Sequence, residues 1–161
     1  MGRILVKGFV SVSYFPTSLS KAFLCYCLFG NQVPDSMFVD SFTKYLSPVE
    51  EEFIVDIRKN QLPDDEDELT DFLERFKCRR VVSTENLSQV IIEISKQELV
   101  QKPHLMISSL QPFVEQWKQY PQFQTISAVE GFYDSLKPTT KRVLSCLNST
   151  PQSEGERERC I

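Results

Sequence analysis

From Ser83 to Met106 the chain reads STENLSQVIIEISKQELVQKPHLM, and no other run constrains the fold as tightly. Leu87, Val90, Ile91 and Ile94 recur at the three- and four-residue spacing of a single helix face. Small polar residues ahead of them suit a helix cap. Glu85 is expected in the first turn, where a carboxylate meets the positive end of the helix dipole. The spacing predicts a helix over residues 84–101. Pro103 should end it and open the next, because proline lacks the N–H that a helix interior needs but a first turn does not.

The same signals recur along the chain. Ser18 to Phe29 reads as a helix with Gly30 at its C-terminal cap; its apolar residues surround the axis, which predicts a central, buried position. Asp35 is placed to cap a helix running to about Leu46, with Phe38, Phe42 and Tyr45 on one face. Ser47-Pro48-Val49-Glu50 is a capping box with proline at the first helical position, and it opens a helix that turns Phe53, Ile54 and Ile57 inward. Leu69, Phe72, Leu73 and Phe76 make the next helix amphipathic. Beyond Pro103, the stripe Met106, Leu110, Phe113 and Trp117 predicts another helix, which Pro112 should kink or interrupt. Ser127-Ala128-Val129-Glu130 reads as a second capping box, ahead of a short helix burying Phe132 and Leu136. Pro138–Leu147 and Pro151–Cys160 are two further short helical candidates, and the polar tail is expected to fray. Residues 3–15 alternate partly and read as one or two short strands or an extended arm.

The expected architecture is predominantly α, a multi-helix single domain with a short β element near the N-terminus. Residues 1–17 form a divergent N-terminal arm and residues 18–161 the helical domain. At 161 residues one domain is the economical reading. A chain of that size buries about two-thirds of its unfolded surface. Twelve Phe, five Tyr and one Trp favour a packed interior, and only five Gly argue against a turn-rich β fold and against phosphate-cradling loops.

Composition also excludes function classes. The net charge of −4 speaks against a nucleic-acid partner. The local cluster Lys77, Arg79 and Arg80 fits a solvated helix end. The apolar stretch Ala22–Gly30 is too short to span a bilayer. Lys7 breaks the N-terminal apolar run, so no secretory signal is expected. With five cysteines, an odd number, the reading is an intracellular, reducing compartment, cytoplasmic or nuclear, with free thiols.

Catalytic chemistry is sparsely represented. His104 is the one histidine, and it sits beside Pro103 at a predicted helix start, where a surface or capping role suits it. Cys25 and Cys27 point to different faces of an apolar helix, and Cys78, Cys146 and Cys160 show no paired metal-ligand spacing, so no metal site or cofactor is expected. No P-loop, dinucleotide fingerprint or EF-hand loop occurs. The carboxylate pairs Glu50/Glu51 and Asp64/Asp65 splay apart and stay solvated, and the acidic run Pro63–Glu68 reads as a solvated helix start in preference to a docking surface.

Five blocks, AFLCYCLFG (Ala22–Gly30), SFTKYLSP (Ser41–Pro48), DFLERFKC (Asp71–Cys78), Ser83–Met106 and KPTTKRV (Lys137–Val143), occur in this order. In wording and order they resemble the HECT domain of ubiquitin ligases, in a divergent subgroup. The resemblance implies the later part of the N-lobe. In that family this helical lobe docks the ubiquitin-conjugating enzyme, while a separate C-lobe carries the cysteine that accepts ubiquitin. It therefore implies a partial ligase domain, truncated before the C-lobe, with a conjugating enzyme and protein substrates as partners. Cys146-Leu147-Asn148 shares the family's spacing of catalytic cysteine and asparagine. Leu144-Ser145 before it and Ser149-Thr150-Pro151 after it depart from the family pattern. No catalytic residue is carried over to this chain, and docking residues are not matched. The alternative is a non-catalytic helical interaction module or scaffold. Oligomeric state is not legible.

Overall fold

A computed structural model describes residues 2–12, 14–58, 66–140 and 144. Eight α-helices form a single all-α domain, with no strand among the described residues. They are α1 (Gly2–Val12), α2 (Lys21–Phe29), α3 (Asp35–Thr43), α4 (Pro48–Arg58), α5 (Glu66–Arg75), α6 (Leu87–Lys96), α7 (His104–Val114) and α8 (Ile126–Leu136). The two helices expected after Pro138 lie almost wholly outside the described residues.

Helix α2 is the axis of the fold. It packs against α3, α7 and α8, and Ala22, Leu24, Cys25 and Cys27 are fully buried. Ser20, not Ser18, caps it: the Ser20 hydroxyl accepts from Phe23 N–H at 3.3 Å. A second orphan donor of the first turn, Ala22 N–H, reaches Ser41 Oγ of α3 at 3.2 Å. Gly30 ends the helix at φ 58, a left-handed value suited to glycine.

The N-terminal segment corrects the expectation of strands or an extended arm. Residues 2–12 are helical and pack on α7. The partial alternation of apolar residues failed as a strand signal because no neighbouring edge offers a ladder, whereas Leu5, Val6 and Phe9 meet the core from one side of a helix. Gly2 is buried, and a Cβ there would run into the Phe113 ring, so this glycine permits the close approach of α1 to α7.

Three further helix boundaries differ from the sequence reading. Pro34, in extended conformation, occupies the cap position of α3, and Asp35 lies in the first turn. Helix α6 starts at Leu87, so Glu85 lies in the preceding turn, where Asn86 Oδ1 accepts from Ser83 N–H at 2.8 Å. Thr125 caps α8, its hydroxyl accepting from Ala128 N–H at 3.1 Å. Ser127 is thereby displaced into the helix, and Glu130 pairs with Lys21 of α2 at 3.0 Å instead of closing a box. The Ser47–Glu50 box forms as expected: Ser47 N–H donates to Glu50 Oε2 at 2.8 Å and Glu50 N–H to Ser47 Oγ at 3.4 Å. Pro112 lies inside α7, and past Val114 the chain tightens into a 3₁₀ segment, Glu115–Gln119.

Candidate functional site

Two grooves sit side by side on one part of the surface. The larger, about 410 Å³, has Leu19, Phe23, Phe42 and Leu99 among its lining residues, with Tyr45 and Met106 at its mouth. Tyr45 and Met106 are 57% and 51% exposed, respectively. Both were expected on buried stripes. Tyr45 falls beyond the end of α3, and the buried face of α7 is Ile107, Leu110 and Val114, one residue out of register with Met106. The second groove, about 310 Å³, lies between α4 and α5, and Arg75 lines both.

Two backbone departures flank the larger groove. After Lys96 the helix widens into a single π turn, Gln97–Gln101, in which Lys102 N–H donates to Gln97 O at 2.9 Å. Such a turn places one extra residue in the helix and re-aims its neighbours, Leu99 here toward the groove. At the C-terminus of α5, Lys77 adopts φ 57, the one positive-φ residue other than glycine among the described residues. Cys78 N–H reaches back to Leu73 O at 2.8 Å and Lys77 N–H to Glu74 O at 2.9 Å, the pair of bonds that defines a Schellman cap. The two features are joined, since Gln97 Nε2 donates to Phe76 O at 3.3 Å. A Lys at a position that usually calls for Gly hides the cap from a sequence reading.

The potential nucleophiles do not gather at these grooves. Cys25 and Cys27 are fully buried on α2, and burial pushes each thiol up to about 12; at Cys25 the nearby Lys21 ammonium only partly opposes this. A thiol held protonated in this way is a poor nucleophile at neutral pH. Cys78 is half-buried in the Schellman cap. His104 is exposed at the first position of α7. Among the described residues, no group of three His, Cys, Asp or Glu side chains could hold a metal ion, and no helix is long and apolar enough to cross a membrane. Cys146, Cys160 and residues 59–65, with the first half of the acidic run, lie outside the described residues.

Polar groups on α4 and α5 are tied to one another. Burial disfavours a charged Glu50. Hydrogen bonds from Ser47 N–H, the Ser47 hydroxyl and the Arg75 guanidinium outweigh it and hold the carboxyl below its ordinary value. Arg80 pairs with Glu93 at 3.0 Å, whereas Lys77 and Arg79 are exposed at and beyond the α5 C-terminus. No family model, curated protein or solved structure matches the chain.

Proposed function

We propose that the chain is part of the N-lobe of a HECT-type ubiquitin ligase, a helical body that docks a ubiquitin-conjugating enzyme without itself forming the ubiquitin thioester. What supports the reading is a convergence. Four of the five blocks that carry the resemblance each contribute to the larger groove. Phe23 comes from the first, Phe42 and Tyr45 from the second, Phe76 from the third, and Leu99 and Met106 from the fourth. Residues scattered over more than eighty positions thus meet on one partly apolar surface, the form taken by sites that receive a partner's side chains.

A non-catalytic scaffold is the second reading, favoured by the burial and raised pKa of Cys25 and Cys27. Capture of purified ubiquitin-conjugating enzymes by the immobilised chain separates the two. The ligase reading expects at least one enzyme to bind and to be lost on Tyr45→Asp or Met106→Asp, changes at exposed positions that leave the core intact. Silence across a broad panel favours the scaffold. In a loading assay without reductant, a thiol-sensitive ubiquitin adduct that disappears in Cys146→Ala would overturn both.

A further inference from the structure

Acidic residues are absent from the start of the chain. All 22 Asp and Glu lie at Asp35 or beyond, and the residues before it carry Arg3, Lys7 and Lys21. Such an asymmetry sets a cationic end against an anionic body and points to an anionic surface as partner. Lys21 is already paired with Glu130. Arg3 and Lys7 stand four residues apart on one exposed side of α1, and no ion pair reaches either of them among the described residues. Helix α7, on which α1 packs, has no Asp or Glu along its length either.

The outward side of α1 is apolar as well as cationic. Leu5, Val6 and Phe9 pack against the core. Ile4, in contrast, is 76% exposed and Val12 72%, and Val10 is exposed too. Tyr14 folds back beside the helix, its N–H donating to Gly8 O at 3.1 Å, and its ring is left largely open to water. Val12 and Tyr14 also line an open groove of about 590 Å³, whose lining among the described residues holds no charged side chain. Exposed aliphatic groups between two cations, with a tyrosine at the edge and no carboxylate on either helix, match the chemistry of an anionic bilayer surface.

We propose that α1 seats the protein on the surface of an anionic phospholipid bilayer. Ile4, Val10, Val12 and Tyr14 enter the boundary between headgroups and acyl chains, and Arg3 and Lys7 meet the lipid phosphates and carboxylates while their stems lie along the apolar layer. The helix lies on the membrane; no described helix is long and apolar enough to cross it. A nucleic acid fits less well, because two cations neutralise too few phosphates. An acidic protein fits less well too: Ile4 and Val10 project from a helix surface and offer no recess to a partner, whereas a fluid bilayer needs no matching shape. The inference stands apart from the ligase reading, because it uses none of the residues that line the larger groove, so either can fail alone.

The test is co-sedimentation of the whole chain with vesicles of one part phosphatidylserine to two parts phosphatidylcholine, and with vesicles of phosphatidylcholine alone. The mixed vesicles are expected to bind the chain at least about ten-fold more tightly. Arg3→Glu with Lys7→Glu should weaken that binding by about thirty-fold or more. Ile4→Ser with Val10→Ser leaves the charge unchanged and should weaken it by about ten-fold. Val81→Ser, at a position 90% exposed in the loop between α5 and α6, should change it by less than about two-fold. All these positions are exposed, and circular dichroism checks that each variant keeps its helices. Several results overturn the proposal: no binding, equal binding to both vesicles, binding unchanged by either double variant, or an equal loss from Val81→Ser. Capture of polyglutamate through Arg3 and Lys7 without vesicle binding would also overturn it, by assigning the face to an acidic protein.

Discussion

The two ends of the molecule are built on different principles. At one end, Phe9 and Phe15 from the first turns of the chain pack with Trp117, Phe123 and Phe132 from its last third. Trp117 stacks on Phe123 at 5.1 Å, and Phe15 meets Phe132 edge-on at 4.9 Å. Two contacts across more than a hundred residues hold this end closed: Lys21–Glu130 at 3.0 Å, and Tyr133 Oη donating to Leu19 O at 2.8 Å. At the other end, α4 and α5 are neighbours in sequence and are held by their own cap, the Glu50–Arg75 pair and the Phe53–Phe72 contact. The first end is aromatic and long-range in its contacts, with an open groove of about 590 Å³ beside Phe9, Phe15 and Phe132. The second is local and charged.

If that contrast is right, the largest response comes from the aromatic end. Trp117 is fully buried, so Trp117→Ala should cost about 3–5 kcal/mol in denaturant unfolding. Trp117→Phe should cost far less, since the indole N–H finds no hydrogen-bond partner among the described residues and its removal breaks none. A small effect of the alanine change would mean that this end is not closed as described.

The next effect is an alkaline one, from the thiols on α2. Cys25 and Cys27 stay protonated in the folded chain up to about 12, against an ordinary value of 9.0. The unfolded chain therefore loses these protons first. Their contribution to stability is full below about pH 9 and is lost as pH rises toward 12. Urea unfolding measured across that window should show the decline, and the Cys25→Ala/Cys27→Ala double variant should show less of it. Burial also raises Tyr133, so some decline above pH 10 should persist.

Smaller responses belong to the charged end. Ser47→Ala removes the hydroxyl half of the capping box, keeps the backbone N–H bond to Glu50, and should cost about 1 kcal/mol. Because Glu50 is held below its ordinary value, its contribution is present above about pH 4.5 and fades as pH falls through its folded value. Solvent screening keeps that acid response slight. Smallest is Lys77→Gly, expected to stabilise by about 0.5–1 kcal/mol by relieving a left-handed residue. A loss instead would show that the Lys77 side chain makes contacts worth more than the strain of φ 57.

Much of the charged end was legible in sequence, and much of the aromatic end was not. The Ser47–Glu50 box and the stripe Phe72, Leu73 and Phe76 are local patterns, with every partner within one helical turn. The helical state of residues 2–12 is decided by what α1 packs on, more than a hundred residues away. Glu130 lies three residues after Ser127, as a capping box requires, yet Thr125 takes the cap because Lys21 of another helix claims the carboxylate. The larger groove was hidden for a similar reason. Its mouth uses Tyr45, past the end of its helix, and Met106, off the buried face, both set by where helices stop and how they turn.

The sequence by itself determined that the protein is built of helices, where α4 and α7 start, and that α2 is central, because hydrophobic period, caps and proline positions act within a few residues. Tertiary structure alone decided that the chain's first segment joins the core, which cysteines are sealed from solvent, and which scattered side chains meet to line a groove. Those outcomes depend on contacts between residues far apart in the chain, and their free energy exists only once the helices have packed.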